Sequence, residues 1–212
     1  MERIDYAHKL IKGFLGYYWR LCKMEKMVVD RFLRTIHTIE KFIKQSESLL
    51  KASKIVTEAI KNGNKLLFCG NGGSASQAQH FAAEFVIRYS KNRAPIPAIS
   101  ITSDTSVLTA GANDFGFESI FERQIEALGN KNDVLIAIST SGKSKNVNRA
   151  VVKAYEKEMK IIYLCGELPP ETHRLCDVLI NVPSRNTAII QEIHEIIGHT
   201  LVELVEKELN YE

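Results

Sequence analysis

The 212-residue chain predicts an α/β protein: a doubly wound, mainly parallel sheet of five strands flanked by helices, with an N-terminal helical layer in front of it. Three observations carry that expectation. From residue 64 onward, short apolar runs alternate with amphipathic stretches, the rhythm of repeated βα units. The runs are almost continuously apolar, as strands covered on both faces require. Before residue 64 the apolar residues recur only at helical spacing.

Taken in order, residues 1–23 place Leu10, Phe14, Tyr18 and Trp19 between basic side chains, an amphipathic stretch weakened as a helix by Gly13 and Gly16. We divide the chain into an extension over 1–24 and a single domain over 25–212. Within that domain, 25–61 form helices and 62–212 an α/β core. The helical part carries Val28, Phe32, Leu33, Ile36, Ile39, Phe42 and Ile43, then Leu49, Leu50, Ile55, Val56 and Ile60, with a break near Ser46 or Ser48. So much apolar surface ahead of the sheet points to packing against another subunit. Strands are expected at 65–69, 98–101, 134–139, 161–165 and 178–182, and helices near 74–89, 105–111, 117–128, 144–157 and 187–209.

Composition excludes several classes of function. With 28 basic against 25 acidic residues, there is no electrostatic footprint for nucleic acid. No apolar run reaches the length of a membrane span, and the N-terminus has no secretory signal, its one candidate apolar region being interrupted by Lys9, Lys12 and Arg20. Cys22, Cys69, Cys165 and Cys176 are scattered without CxxC or metal-finger spacing, a reduced, cytoplasmic pattern.

In open parallel sheets ligands sit at the carboxyl ends of strands, and two such ends stand out. After the first strand come Gly70, Asn71, Gly72, Gly73 and Ser74, then a helix. Glycines admit close backbone approach, and a helix N-terminus directs N–H groups at an anion. That helix sets Ala75, Ala78, Phe81, Ala82, Phe85 and Val86 on one apolar stripe, while Gln77, His80, Glu84 and Arg88 form its polar row. His80 and Glu84 are i,i+4 neighbours, placed either as a solvated pair or to address one ligand or metal.

After the third strand, Ser139, Thr140, Ser141 and Ser144 surround Gly142 and Lys143, more hydroxyls than capping requires and suited to a phosphate. The stretch 137–144 nearly spells a P-loop. Ala137 replaces its first glycine, however, and no apolar strand ending in a magnesium-binding Asp follows. Asn113 and Asp114 fall between two helices, as caps or as partners for a sugar hydroxyl. The last helix buries Ile190, Ile193, Ile197, Leu201 and Leu204 and sets Gln191, Glu195 and His199 along another row. Gly198 inside it points to close backbone approach.

CGNGGSxxxAQHFAAE, NDFGF, ISTSGxS and IQExHxxxxH occur here in that order, covering about residues 30–208. Together they closely resemble the phosphoheptose (sedoheptulose 7-phosphate) isomerases of the sugar-isomerase (SIS) fold. The resemblance implies a cytoplasmic homotetramer that converts D-sedoheptulose 7-phosphate to D-glycero-D-manno-heptose 7-phosphate, the first step towards nucleotide-activated heptose. It implies a phosphate cradle of Ser74, Ser139, Thr140, Ser141 and Ser144, with Asn71, Gly72, Gly73, Asn113 and Asp114 lining the sugar. It also implies one zinc per subunit held by His80, Glu84, Gln191 and His199. Glu84 is then expected as base and His199 as its acid/base partner in proton transfer through an enediol. A carboxylate bound tightly to zinc is a poorer base, so the double duty of Glu84 is a tension.

This chain departs from the resemblance at Lys143, where Asn is usual, across 167–176, which lacks the usual glycine-containing turn, and over 1–23. The alternatives are a non-enzymatic SIS-fold tetramer that binds the replication initiator, and an isomerase of another sugar phosphate. The presence of both Glu84 and His199 favours the enzyme.

Overall fold

The computed structural model describes residues 22–209, so the amphipathic stretch expected over 1–23 falls almost entirely outside the described residues. Two helices come first, α1 (Lys23–Ile43) and α2 (Ser46–Lys61). The break between them falls at Lys44 and Gln45, beside the expected serines, and the 24/25 division lies in the first turn of α1. The α/β part follows as β1 (Leu66–Gly70), α3 (Gly73–Val86), β2 (Ala98–Ser100), α4 (Thr105–Phe115), a 3₁₀ turn (Phe117–Ser119), α5 (Ile120–Leu128), β3 (Val134–Ser139), α6 (Lys145–Glu156), β4 (Lys160–Cys165), a second 3₁₀ turn (His173–Leu175), β5 (Val178–Asn181) and α7 (Thr187–Glu208).

All five strands are parallel, in the order β2-β1-β3-β4-β5. β1 and β3 are buried along their whole length, as their continuous apolar character requires. One face of the sheet packs on α1, α2, α3 and α7 through Phe42, Val56, Phe81, Phe85, Ile193 and Ile197. The other packs on α5 and α6 through Phe121, Ile125, Val147 and Val151. Each fully buried aliphatic or aromatic side chain contributes roughly 1.5–3 kcal/mol, so the two layers hold the strand ends that carry the loops.

Two close approaches fix α3 against α7. A Cβ at Gly198 would fall inside the ring of Phe81, so the glycine lets the helices meet, as its sequence position suggests. Further along, the Arg93 side chain is fully buried and donates to Glu206 at 2.7 Å and to the carbonyls of Glu84 and Phe85, each also at 2.7 Å. Glu206 also accepts from Ser90 Oγ and from the backbone N–H groups of Tyr89 and Ser90. At the other end of the chain, α1 is tied to α7 by Arg31 and Thr35, both donating to Glu192.

Two boundaries differ from expectation. α4 starts on an Asp104 N-cap and runs through Asn113 and Asp114 to Phe115, because Gly116, at φ +84°, is the first residue to turn the chain out of the helix. The two residues therefore lie in its last turn and not ahead of the next helix. Ser144 holds the N-cap place of α6 without a capping hydrogen bond, its hydroxyl being engaged with Ser139 instead. None of the helices among the described residues is long and apolar enough to cross a membrane.

Candidate active site

The strand order reverses direction between β1 and β3, and at such a switch point the following loops open a crevice above the sheet. The 71–74 and 139–144 loops are thereby neighbours. Gly70 is the hinge of the first: a Cβ there would lie 2.8 Å from Ser74 Cβ. Gly72 continues the turn at φ +54°. In the second loop Gly142 adopts φ +67° beneath the Leu168 and Pro170 backbone, so the 167–176 segment packs directly on the hydroxyl loop.

Ser139 Oγ and Ser144 Oγ lie 2.9 Å apart, and Ser141 Oγ accepts from the Lys143 N–H. Ser74 is buried in the first turn of α3, Thr140 is half-buried and Ser141 is exposed. Asn71 faces Asn146, a buried residue on α6, and the two amides exchange hydrogen bonds of 2.8 Å in both directions. The two loops are thus clamped together side chain to side chain. The clamp occupies the Asn71 amide expected to line the sugar, leaving its backbone for that role.

Asn113 and Asp114 are exposed, with Asn113 Nδ2 donating to Asp114 Oδ1 at 2.7 Å. Phe117, from the same sequence segment, instead lines a hollow of about 330 Å³ with Gly72, Thr102, Leu108 and Ile120.

The second half of the site lies where α3 faces α7. His80 Nε2 is 2.9 Å from His199 Nε2 and 3.8 Å from Glu84 Oε1. Between the two imidazoles stands a residue with no assigned role in the sequence reading, Glu195. Its Oε1 lies 3.2 Å from His80 Nε2 and 3.7 Å from His199 Nε2. Its Oε2 accepts from Gln77 Nε2 at 3.0 Å. Tyr89 stacks on the His199 ring at 5.4 Å between centroids.

Donor atoms of His80, Glu195 and His199 all lie within 4.8 Å of one another. Imidazole nitrogens with a carboxylate oxygen are the donor set of catalytic zinc sites, and the partial exposure of the cluster leaves room for a further ligand. By its donor chemistry the cluster fits zinc. The Gln191 amide, expected in the metal set, lies beside Gly73, where a Cβ would meet its nitrogen.

Beneath the site, burial pushes the His194 imidazole down to about 4, so it stands neutral with Nε2 donating to the Cys165 carbonyl. Burial pushes the Cys69 and Cys165 thiols up to about 12, which makes both packing groups.

Residues 31–166 match the SIS domain family. The chain is 47% identical over 189 residues to the phosphoheptose isomerase of Aliarcobacter butzleri, covering 89% of this chain and all of that protein. To that of Campylobacter jejuni serotype O:6 it is 50% identical over 172 residues, covering 79% and 92%. The chain belongs to the phosphoheptose isomerase family. A solved phosphoheptose isomerase, from Neisseria gonorrhoeae, superposes at a TM-score of 0.82 with 38% identity over 87% of this chain and 100% of that one.

The sequence reading assigned no role to Glu195, Gln77, Tyr89 or Asn146, which the structure sets against His80, His199 and Asn71. Glu195 was within reach, since it shares the i,i+4 row of Gln191 and His199. Asn146 carried no sequence signal, because its partner Asn71 sits on a different βα unit.

Proposed function

We propose that this chain is the isomerase interconverting D-sedoheptulose 7-phosphate and D-glycero-D-manno-heptose 7-phosphate, acting at the head of activated-heptose synthesis. The observation that carries the proposal is the meeting of His199 from α7 with His80 and Glu84 from α3, on the helix that begins at the clamped phosphate loops. From Ser74 to His80, α3 advances six residues, about 9 Å along its axis at the usual helical rise. That span separates the phosphate end of a multi-carbon sugar from its reacting end.

Ser139, Thr140, Ser141 and Ser144 would bind the phosphate, with Ser74 and the N-terminus of α3 completing the cradle. Gly72, Gly73 and Gln191 would line the sugar beyond it. Asn113 and Asp114 would reach it only through rearrangement of their mutual hydrogen bond. Glu84, its backbone carbonyl held by Arg93, would take the C1 proton of the ketose and return it at C2. His199, steadied by Tyr89, would move the matching proton between O1 and O2. The carbon acid and the oxygen acid are thus served by different side chains, and no proton is gained or lost over the cycle. One zinc per subunit, when bound at His80 and its neighbours, would polarise the carbonyl and orient the sugar oxygens.

We also infer a homotetramer in the cytoplasm. Met24, Val28, Phe32 and Ile36 follow one another at i,i+4 on α1 and all stand exposed, Phe32 by 65%, an apolar stripe suited to a second subunit. The free cysteines suit a reducing compartment.

The test is turnover of sedoheptulose 7-phosphate by the purified protein beside Glu84→Gln and His199→Ala, with and without added zinc. Wild-type isomerisation with both variants inactive, yet still bound by inorganic phosphate, supports the assignment. A wild type that binds phosphate but isomerises nothing in zinc overturns it.

A further inference from the structure

We propose that Asn148 is a positioning residue for phosphate, holding the 139–144 loop in the form that offers its hydroxyls to an anion, with Tyr163 and Thr172 as its outer supports. This role rests on the reading of that loop as the phosphate cradle and names what sets its shape.

A loop that binds an anion has to turn its carbonyls away, because a carbonyl oxygen facing the ligand opposes the charge that N–H and O–H groups attract. Gly142, buried and at φ +67°, is where the loop turns. Asn148, half-buried in the first turn of α6, donates from Nδ2 to the Gly142 carbonyl at 3.1 Å. In a trans peptide the N–H of the next residue points opposite to the held carbonyl. That N–H belongs to Lys143, and it donates to Ser141 Oγ at 3.1 Å. With its oxygen accepting from the backbone, the exposed Ser141 keeps its O–H to give outward. One amide on α6 thus sets a carbonyl, an N–H and a hydroxyl in turn.

The Asn148 amide has one way to face. Its Oδ1 accepts from Tyr163 Oη at 3.0 Å and from Thr172 Oγ1 at 3.4 Å. Turned over, it would set Oδ1 against the Gly142 carbonyl, two acceptors with no proton between them. Tyr163 is fully buried in β4, and burial pushes its phenol up, so it stays protonated as a donor. A buried hydroxyl is costly without a partner, and Asn148 supplies it. Thr172 belongs to the 167–176 segment, whose backbone at Leu168 and Pro170 already lies against Gly142. Supports from a helix, a strand and a loop therefore converge behind the hydroxyl loop, and its shape is set by the fold.

The experiment compares calorimetric titration with inorganic phosphate, and KM and kcat for sedoheptulose 7-phosphate, among full-length wild type, Asn148→Leu and Ser53→Ala. Ser53→Ala removes a buried hydrogen bond to Glu208 on the opposite side of the sheet, so it lowers stability without touching the loop. Asn148→Leu is expected to bind phosphate about three- to tenfold more weakly, the worth of one hydrogen bond, and to raise KM in parallel while kcat stays within about twofold. Ser53→Ala is expected to match wild type in all three. Should wild type bind phosphate and Asn148→Leu bind it equally well, the Asn148 assignment falls and the cradle stands. Should Ser53→Ala lose as much affinity as Asn148→Leu, the loss is one of stability and the assignment falls. Should wild type itself fail to bind phosphate, cradle and assignment fall together. If Asn148→Leu does not fold, the double variant Tyr163→Phe/Asn148→Leu, which strands no buried phenol, takes its place: weaker phosphate binding supports the proposal, and unchanged binding overturns it.

Discussion

Helices α3 and α7 meet at two levels, and charge is treated differently at each. At the level of His80, Glu195 and His199 the side chains are 41%, 38% and 36% exposed, and two imidazole nitrogens face each other at 2.9 Å. At the level of Arg93 and Glu206 the side chains are 0% and 3% exposed, and each charge is met by further hydrogen bonds. A charge removed from water is tolerated only when opposed and fully bonded, so the second arrangement fastens the helices. Donors kept in partial contact with water and aimed at one point gain little for the fold. They serve what binds between them. One helix pair thus carries a rivet and the proposed reaction centre, and Arg93 links them through the Glu84 carbonyl.

The largest expected effect breaks the chemical side alone. Glu84→Gln and His199→Ala each lower kcat by about 10²–10⁴-fold, with melting temperatures close to wild type by calorimetry. Breaking the fastening side does the reverse. Glu206→Gln removes the carboxylate that meets the buried Arg93 side chain and costs about 3–5 kcal/mol in urea unfolding.

Burial pushes the Glu206 carboxyl up, but Arg93, Ser90 and two backbone amides outweigh it and hold the group below the ordinary glutamate range. Its stabilisation is therefore complete above the unfolded-state value and lost as pH falls through the depressed folded value. Glu206→Gln removes that acid dependence from the stability profile. A smaller effect tests the cradle: Ser144→Ala weakens inhibition by inorganic phosphate about tenfold or more, the worth of a hydrogen bond to a charged group, with stability little changed. Gly198→Ala drives Phe81 aside at about 1–3 kcal/mol. It tests whether the spacing of the helices matters to chemistry, since kcat should fall alongside stability.

The sheet was legible because five apolar runs admit few other arrangements, and the two loops because glycines and hydroxyls cluster in consecutive positions. Gly198 was legible too, since a glycine within an otherwise apolar helix needs a neighbour that comes close. What escaped depended on partners remote in sequence. Nothing local distinguishes Arg93 from the other basic residues of its loop, and Glu206 reads as an ordinary charge near a helix end until the fold brings them together. Asn113 and Asp114 looked like caps because the sequence does not say whether α4 stops before them or at Gly116. Glu195 passed as one more polar residue on a helix until Gln77 and two histidines surrounded it.

The Asn71–Asn146 clamp also bears on how the protein ages. Asn71 is followed by Gly72, and an asparagine before glycine is prone to spontaneous deamidation, because no side chain screens the following backbone nitrogen from the amide carbon. Pairing with Asn146 holds that amide in both directions. Were it converted to aspartate, a negative charge would sit beside the proposed phosphate cradle and oppose an anion there. The contact that sets the geometry of the two loops therefore also guards the chemical lifetime of the site.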